Sequence, residues 1–134
     1  MALKQYTVVG EGFEIRFSLT AGILRAQVEG PHDSFAISLA YWTMVAEERR
    51  RHDVRCVLVI ENLAERGNPE EILTLFEEFA GLGFEGSKVA FVDCHNEQRS
   101  AHEHIAIMAR EHGILAAVFG EENAAEIWLR HGEE

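Results

Sequence analysis

Residues 56–60, CVLVI, contain no polar side chain, and that short run restricts the fold more than any other stretch. A strand with one face in water alternates, so a strand without alternation is covered on both faces, as in a mainly parallel sheet flanked by helices. The run at 89–93, VAFVD, is also apolar until its closing aspartate. The earlier part of the chain reads differently. Over 13–19, Phe13, Ile15, Phe17 and Leu19 alternate with Glu14, Arg16 and Ser18, and over 24–29, Leu24, Ala26 and Val28 alternate with Arg25, Gln27 and Glu29. Two half-buried strands follow from that period. A two-residue turn at Ala21 and Gly22 pairs Thr20 with Ile23, Phe17 with Ala26 and Ile15 with Val28, keeping every apolar side chain on one face. A slip of one residue would bury Arg25.

Helical patterns separate the remaining strands. Asp33 or Ser34 can cap a helix to about residue 51, with Phe35, Leu39, Trp42 and Ala46 on one stripe. The run Asn68-Pro69-Glu70-Glu71 offers an N-cap, a proline at the first helical position and an early glutamate. The helix it opens buries Ile72, Leu75, Phe76 and Phe79, turns Glu77 and Glu78 outward, and stops at Gly81 and Gly83. A third helix spans about 96–112 with Ala101, Ile105 and Met108 inward. A strand at 116–119 and a last helix bearing Ala124, Ile127 and Trp128 complete the chain. The expected fold is α/β: an open, mostly parallel five-stranded sheet with one antiparallel edge strand, in the order ββαβαβαβα.

One domain accommodates all 134 residues. Twelve basic and 23 acidic residues give a net charge of −11, which opposes binding to nucleic acid and to anionic lipid surfaces. The longest apolar runs, 56–60 and 114–119, fall far short of the roughly 18 residues of a membrane span. The first residues, MALKQYTVVGEG, lack the apolar core and cleavage site of a secretory leader, so a cytoplasmic location is expected. Gly10-Glu11-Gly12 reads as a turn at the start of the chain. Cys56 opens one strand and Cys94 follows the next, an offset of about 16 Å at roughly 3.3 Å per residue, too far for a disulfide.

The carboxyl ends of the strands are the usual binding edge of an open α/β sheet. They deliver Glu61 and Asn62, then Asp93, Cys94, His95 and Asn96, then Gly120 and Glu121. Cys94 beside His95, ahead of a helix N-terminus, is the candidate nucleophile; a small thiol beside a capping loop is the plainer reading. Seven histidines invite a metal reading, yet HEHIA at 102–106 places Ala106 where the zinc motif needs its second histidine, and His104 and His112 lie two turns apart. No metal site is expected. Without a phosphate loop, G-x-G-x-x-G or G-x-S-x-G, no cofactor is expected either.

Four stretches together carry a family resemblance: the hairpin ending in VEGPHD, the strand VRCVLVIENL, the strand KVAFVD with an amphipathic helix after it, and the closing FGEENAAEIWLR. Across nearly its whole length the chain resembles the SpoIIAA-like branch of the STAS superfamily, the fold of anti-sigma-factor antagonists, related to Sec14-type lipid-binding domains. The resemblance implies a non-enzymatic regulatory module that docks a protein. Antagonists of this fold carry a phosphorylatable Ser or Thr at the start of the second helix. Here that stretch is GNPEEI, no Ser or Thr occurs between Ile60 and Thr74, and Asn68, Glu70 and Glu71 occupy the region. A phosphorylation switch at that position is not expected.

Two functional expectations follow. The first is a protein-interaction module, docking a partner or a second copy through a further apolar stripe on the first helix, Ile37, Tyr41 and Met44 with Ala40 at its edge. The competing possibility is that Tyr6, Val8 and Val9 cover this stripe within one chain. The second expectation, from the Sec14 kinship, is a binder of a small apolar or lipid-like molecule held against a sheet face that lacks helix cover. An enzyme using Cys94 is a distant third.

Overall fold

The two unalternating strands lie side by side in the interior of a six-stranded sheet. The computed structural model describes residues 4–32, 34–64, 69–94 and 99–132. In chain order they form β1 (Lys4–Gly10), β2 (Phe13–Thr20), β3 (Ile23–His32), α1 (Phe35–His52), β4 (Cys56–Ala64), α2 (Pro69–Ala80), β5 (Lys88–Asp93), α3 (Arg99–Glu111), β6 (Leu115–Phe119) and α4 (Glu122–His131). The strands stand in the sheet in that same order. β1, β2 and β3 make an antiparallel meander, and β3 to β6 run parallel.

The β2–β3 register has Thr20 opposite Ile23, Phe17 opposite Ala26 and Ile15 opposite Val28, as the period-2 pattern requires. At its turn Ala21 and Gly22 both take positive φ, 54° and 80°, the twist that a two-residue hairpin needs. The sheet has six strands where five were expected, because residues 4–10 add β1 to the edge. Gly10-Glu11-Gly12 is thus a hairpin turn inside the sheet. Gly12 has φ 87°, and a Cβ on Gly10 would lie 2.2 Å from the Phe13 ring, so the turn relies on glycine at both positions.

Right-handed crossovers between sequential neighbours all swing to the same side. Accordingly α1, α2 and α3 share one face of the sheet, over a core that includes Phe17, Ala26, Val28, Val57, Val59, Val89 and Phe91. α4 lies on the opposite face against β4 and β5, with Ala125 and Leu129 packed on Ile23, Leu58, Ile60, Ala90 and Val92. Two helix layers explain why β4 and β5 cannot alternate. Trp42 organises the larger layer, with Phe79, Phe84 and Phe91 at centroid distances of 5.1, 5.8 and 5.9 Å. Leu39, expected in this core, is only half-buried, and Phe119 joins the smaller core instead.

The outer stripe of α1 is not a free surface. Tyr41 is 1% exposed, while Ile37, Ala40 and Met44 are half-buried and pack on the same core as Tyr6 and Val8 of β1. The Gly12 turn approaches Ile37 closely enough that a Cβ there would sit 3.2 Å from Ile37 Cδ1. The Tyr6 hydroxyl donates to the Glu48 carboxylate and lies 3.0 Å from His52 Nε2, fastening β1 to the last turns of α1. Burial, together with the hydrogen bond and charge of Glu48, raises the Tyr6 pKa above the ordinary phenol value.

The last helix is also rotated relative to expectation. Ala125 and Leu129 are buried, Trp128 is half-buried, and Ile127 is 60% exposed. Both ends of α4 are tied to the sheet: Arg25 Nε and Nη2 reach the Glu122 carboxylate at 2.6 and 3.0 Å, and the buried Lys88 donates to the Leu129 carbonyl at 3.3 Å while lying over the Trp128 ring. Among the described residues no helix is long and apolar enough to cross a membrane.

Candidate functional site

On the faces of β4 and β5 that underlie α1–α3 the apolar run is interrupted by Glu61, with Leu63 after it, and ends at Asp93. Val57, Val59 and Glu61 follow one another on that face of β4, and Val89, Phe91 and Asp93 on the neighbouring strand, with Glu61 and Asp93 in register. Each of the two acids is 1% exposed. Burying carboxyl groups side by side is costly unless other groups meet them. Tyr41, from the middle of α1, donates its hydroxyl to Glu61 Oε2 at 2.5 Å. His102, from the first turn of α3, sets Nδ1 3.2 Å from Asp93 Oδ2, and its ring meets Phe91 edge-on at 4.9 Å.

Three of these four side chains, Glu61, Tyr41 and His102, line a cavity of about 80 Å³, and Asp93 is joined to it through His102. Tyr41, Trp42, Phe76, Phe79 and Phe91 form its aromatic walls; Ala106 and Ala109 of α3 and Ala116 of β6 face them. The alanines explain the space: α3 approaches β6 closely, but methyl groups do not reach the aromatic cluster. Ser38, 4% exposed, is a further polar lining residue from α1. A molecule here would have its apolar body against the rings and a polar group at Glu61 and His102. A histidine with one ring nitrogen on a buried carboxylate is also the arrangement of a general base.

Of the residues anticipated at the strand ends, Glu61 and Asp93 stand in register on neighbouring strands, and Glu61 lines the cavity. Asn62 and Cys94 do not join them. Asn62 is exposed, its amide 3.4 Å from Glu29 Oε1. Cys94 is exposed as a residue, and its backbone N–H donates to the Glu61 carbonyl at 3.1 Å. Partial burial of its sulfur, then the negative charges of Asp93, Glu29 and Glu122, push its thiol pKa up. A raised pKa disfavours thiolate, the opposite of what a nucleophile needs. Gly120 and Glu121 form the turn from β6 into α4. Asn68, His95 and the side chains of Glu70 and Glu71 lie outside the described residues.

Tyr41 and His102 are the site residues whose partners sequence reasoning does not reveal. Tyr41 belongs to the stripe left open between a docking face and one covered within the chain, and His102 reads as a packed or solvent-facing histidine, with a metal ligand as the rarer case. The stripe His102, Ile105, Ala106 and Ala109, spaced for one helix face, carries the missing signal. His112 packs against Phe76, ring centroids 5.5 Å apart, and His104 is exposed. Among the described residues no three His, Cys, Asp or Glu side chains are grouped to hold a metal ion. No family model, curated protein or solved structure matches this chain.

Proposed function

We propose that the chain is a binding domain for a small, mainly apolar molecule whose one polar group meets Glu61 and His102. The observation that carries this reading is the cavity itself, an aromatic chamber with carboxyl, imidazole and phenol groups converging at one side. Folding alone has no need of them, because a well-packed apolar residue at such a position is commonly as stable or more so. The site differs from the expectation in one respect: it lies beneath α1–α3, not on a bare sheet face. Membership of the STAS-like group is part of the proposal and is supported by the element order and the quoted stretches. The interaction-module reading retains the half-buried Ile37, Ala40 and Met44 as its surface, while Tyr41 of that stripe is buried and turned to the cavity.

Titration of ¹⁵N-labelled protein with cyclopentanone, whose size and single polar atom suit the chamber, tests the reading. Saturable shifts are expected at the amides of β5 and the middle of α3, and Ala106→Phe, which fills the cavity, should abolish them. Absent or scattered shifts, or unchanged binding in a folded Ala106→Phe variant, would refute it. Native mass spectrometry of protein from its own host would add the natural occupant as a small mass lost on denaturation.

A further inference from the structure

We propose that Tyr6, Glu48 and His52 form a binding site for one divalent transition-metal ion of the zinc type, where β1 meets the end of α1. The site is independent of the cavity, none of the three being a lining residue. Its donor atoms converge. His52 Nε2 lies 3.0 Å from the Tyr6 hydroxyl and 3.4 Å from Glu48 Oε1, and the Tyr6–Glu48 hydrogen bond closes the triangle. An ion bonded to nitrogen and oxygen at about 2.0–2.2 Å holds adjacent donors roughly 3–3.5 Å apart, so both distances to the imidazole already suit one ion.

The elements that meet here explain the convergence. Glu48 and His52 are one helical turn apart, which puts both side chains on one face of α1. β1 pairs with β2 so that Tyr6 stands opposite Phe17, and stacking of the two rings at 5.4 Å fixes the phenol against that face. The side chains of Glu48 and His52 are 15% and 11% exposed, so an ion reaches them from solvent and sheds much of its hydration there. Imidazole, carboxylate and phenol together make a nitrogen–oxygen donor set, which suits zinc and its neighbours better than calcium or magnesium.

Three arginines share the last turn of α1 with His52. Arg49 and Arg50 are directed away, to the carbonyls of Val54, Gly83 and Leu82. Arg51 does meet Glu48, at 3.3 Å, but its side chain is 69% exposed and such a pair is worth little in water. It swings into solvent when the ion takes the carboxylate. Without an ion Tyr6 stays protonated, because burial and Glu48 raise its pKa; a dication at the oxygen reverses that preference. Binding therefore breaks the Tyr6 O–H bond. The phenolate oxygen, a Glu48 oxygen and His52 Nε2 each give the ion an electron pair, and the imidazole hydrogen sits on Nδ1. The phenol proton passes to water, and nothing is oxidised or reduced.

The experiment titrates the full chain with Zn²⁺ at pH 7, read by calorimetry and by the ultraviolet difference band of ionised tyrosine. One ion per chain is expected to bind, with that band rising in step. Tyr6→Phe keeps the ring on Phe17, leaves Tyr41 as the one remaining tyrosine, and should lose the band. His52→Gln and Glu48→Gln should each weaken binding about 10-fold or more, at least the cost of removing a group that merely orients a ligand. Arg51→Gln should keep the band and bind more tightly, whereas His104→Gln, at an exposed histidine of α3, should change nothing. Zinc bound without the band is an adventitious surface ion and overturns the proposal, as does no binding at all. A band that persists in folded Tyr6→Phe, or undiminished affinity in folded His52→Gln, also overturns it. Should one variant not fold, the wild-type band and the other two variants still decide.

Discussion

Phe84→Ala and Phe76→Ala remove the same ring from the same core, yet the structure assigns them different costs. Phe84 is wholly buried, stacked on Phe79 at 5.0 Å and edge-on to Trp42 at 5.8 Å. Phe76 is 7% exposed and already forms part of the cavity wall. Both substitutions lose a transfer term of about 1.5–3 kcal/mol. They part at the second contribution. Loss of the Phe84 ring opens a new void among packed aromatics, and roughly 60–90 Å³ at about 24 cal/mol per Å³ adds about 1.5–2 kcal/mol. Loss of the Phe76 ring enlarges a space that already exists, so much of that addition is absent. Phe84→Ala should therefore cost about 3–5 kcal/mol, the usual range for Phe→Ala, and Phe76→Ala about 1–2 kcal/mol less. Urea titrations of the two variants, compared at equal m, give the difference directly. Equal losses, or a larger one at Phe76, would mean that the cavity between α2 and α3 is not open in solution. A loss below about 1 kcal/mol at Phe76 would mean that α2 is not packed on the sheet at all.

Other outcomes follow from the remaining contacts. The Arg25 guanidinium lowers the Glu122 carboxyl pKa, against a smaller opposing effect of partial burial. This stabilisation is complete above the unfolded carboxylate range and is lost as pH falls through the depressed folded pKa. Because the pair is partly solvated, Glu122→Gln should remove only about 0.2–1 kcal/mol at neutral pH and flatten the acid side of the stability profile; an unchanged acid slope would contradict the pairing. Cys94 should react with iodoacetamide more slowly than a free cysteine at pH 7, since its thiol pKa is raised; faster alkylation would reverse the assignment. Ile37→Glu should destabilise the fold by about 1–3 kcal/mol by placing a carboxylate under the Gly12 turn, with no change of mass in sedimentation. A dimer that dissociates into folded monomers would restore the interface reading.

What the sequence disclosed follows from how locally each feature is determined. The β2–β3 register was readable because period 2 and a two-residue turn fix it between Glu14 and Glu29. β1 was obscured by its adjacent Val8 and Val9, which blur the alternation; only pairing with β2 separates Val8, in the core, from Val9, 74% exposed. On α1 and α4 the competing stripes differ by one position, Ala124 against Ala125 or Tyr41 against Trp42, and tertiary packing alone decides between them. α1 resolves the competition by burying both Tyr41 and Trp42. Glu61 and Asp93 were visible as acids ending apolar strands. Their partners were not, because Tyr41 and His102 lie on helices 20 residues before Glu61 and nine residues after Asp93, distances along the chain that carry no periodic signal.

The position of the cavity follows from strand order. Doubly wound sheets bind ligands where the order reverses and two neighbouring connections leave in opposite directions. In this sheet the order runs β1 to β6 without reversal, so no such crevice exists between its parallel strands. α1, α2 and α3 lie in succession over one face, and any chamber has to form beneath them. It forms where side-chain size falls away, between the rings gathered around Trp42 and the alanines of α3 and β6. The later halves of the strands then determine its chemistry: Glu61 of β4 and Asp93 of β5 stand in register, and the neighbouring helices bring a tyrosine to one and a histidine to the other. Apolar size explains the space, and among the described residues Glu61, Tyr41, His102 and Ser38 give it its polar groups.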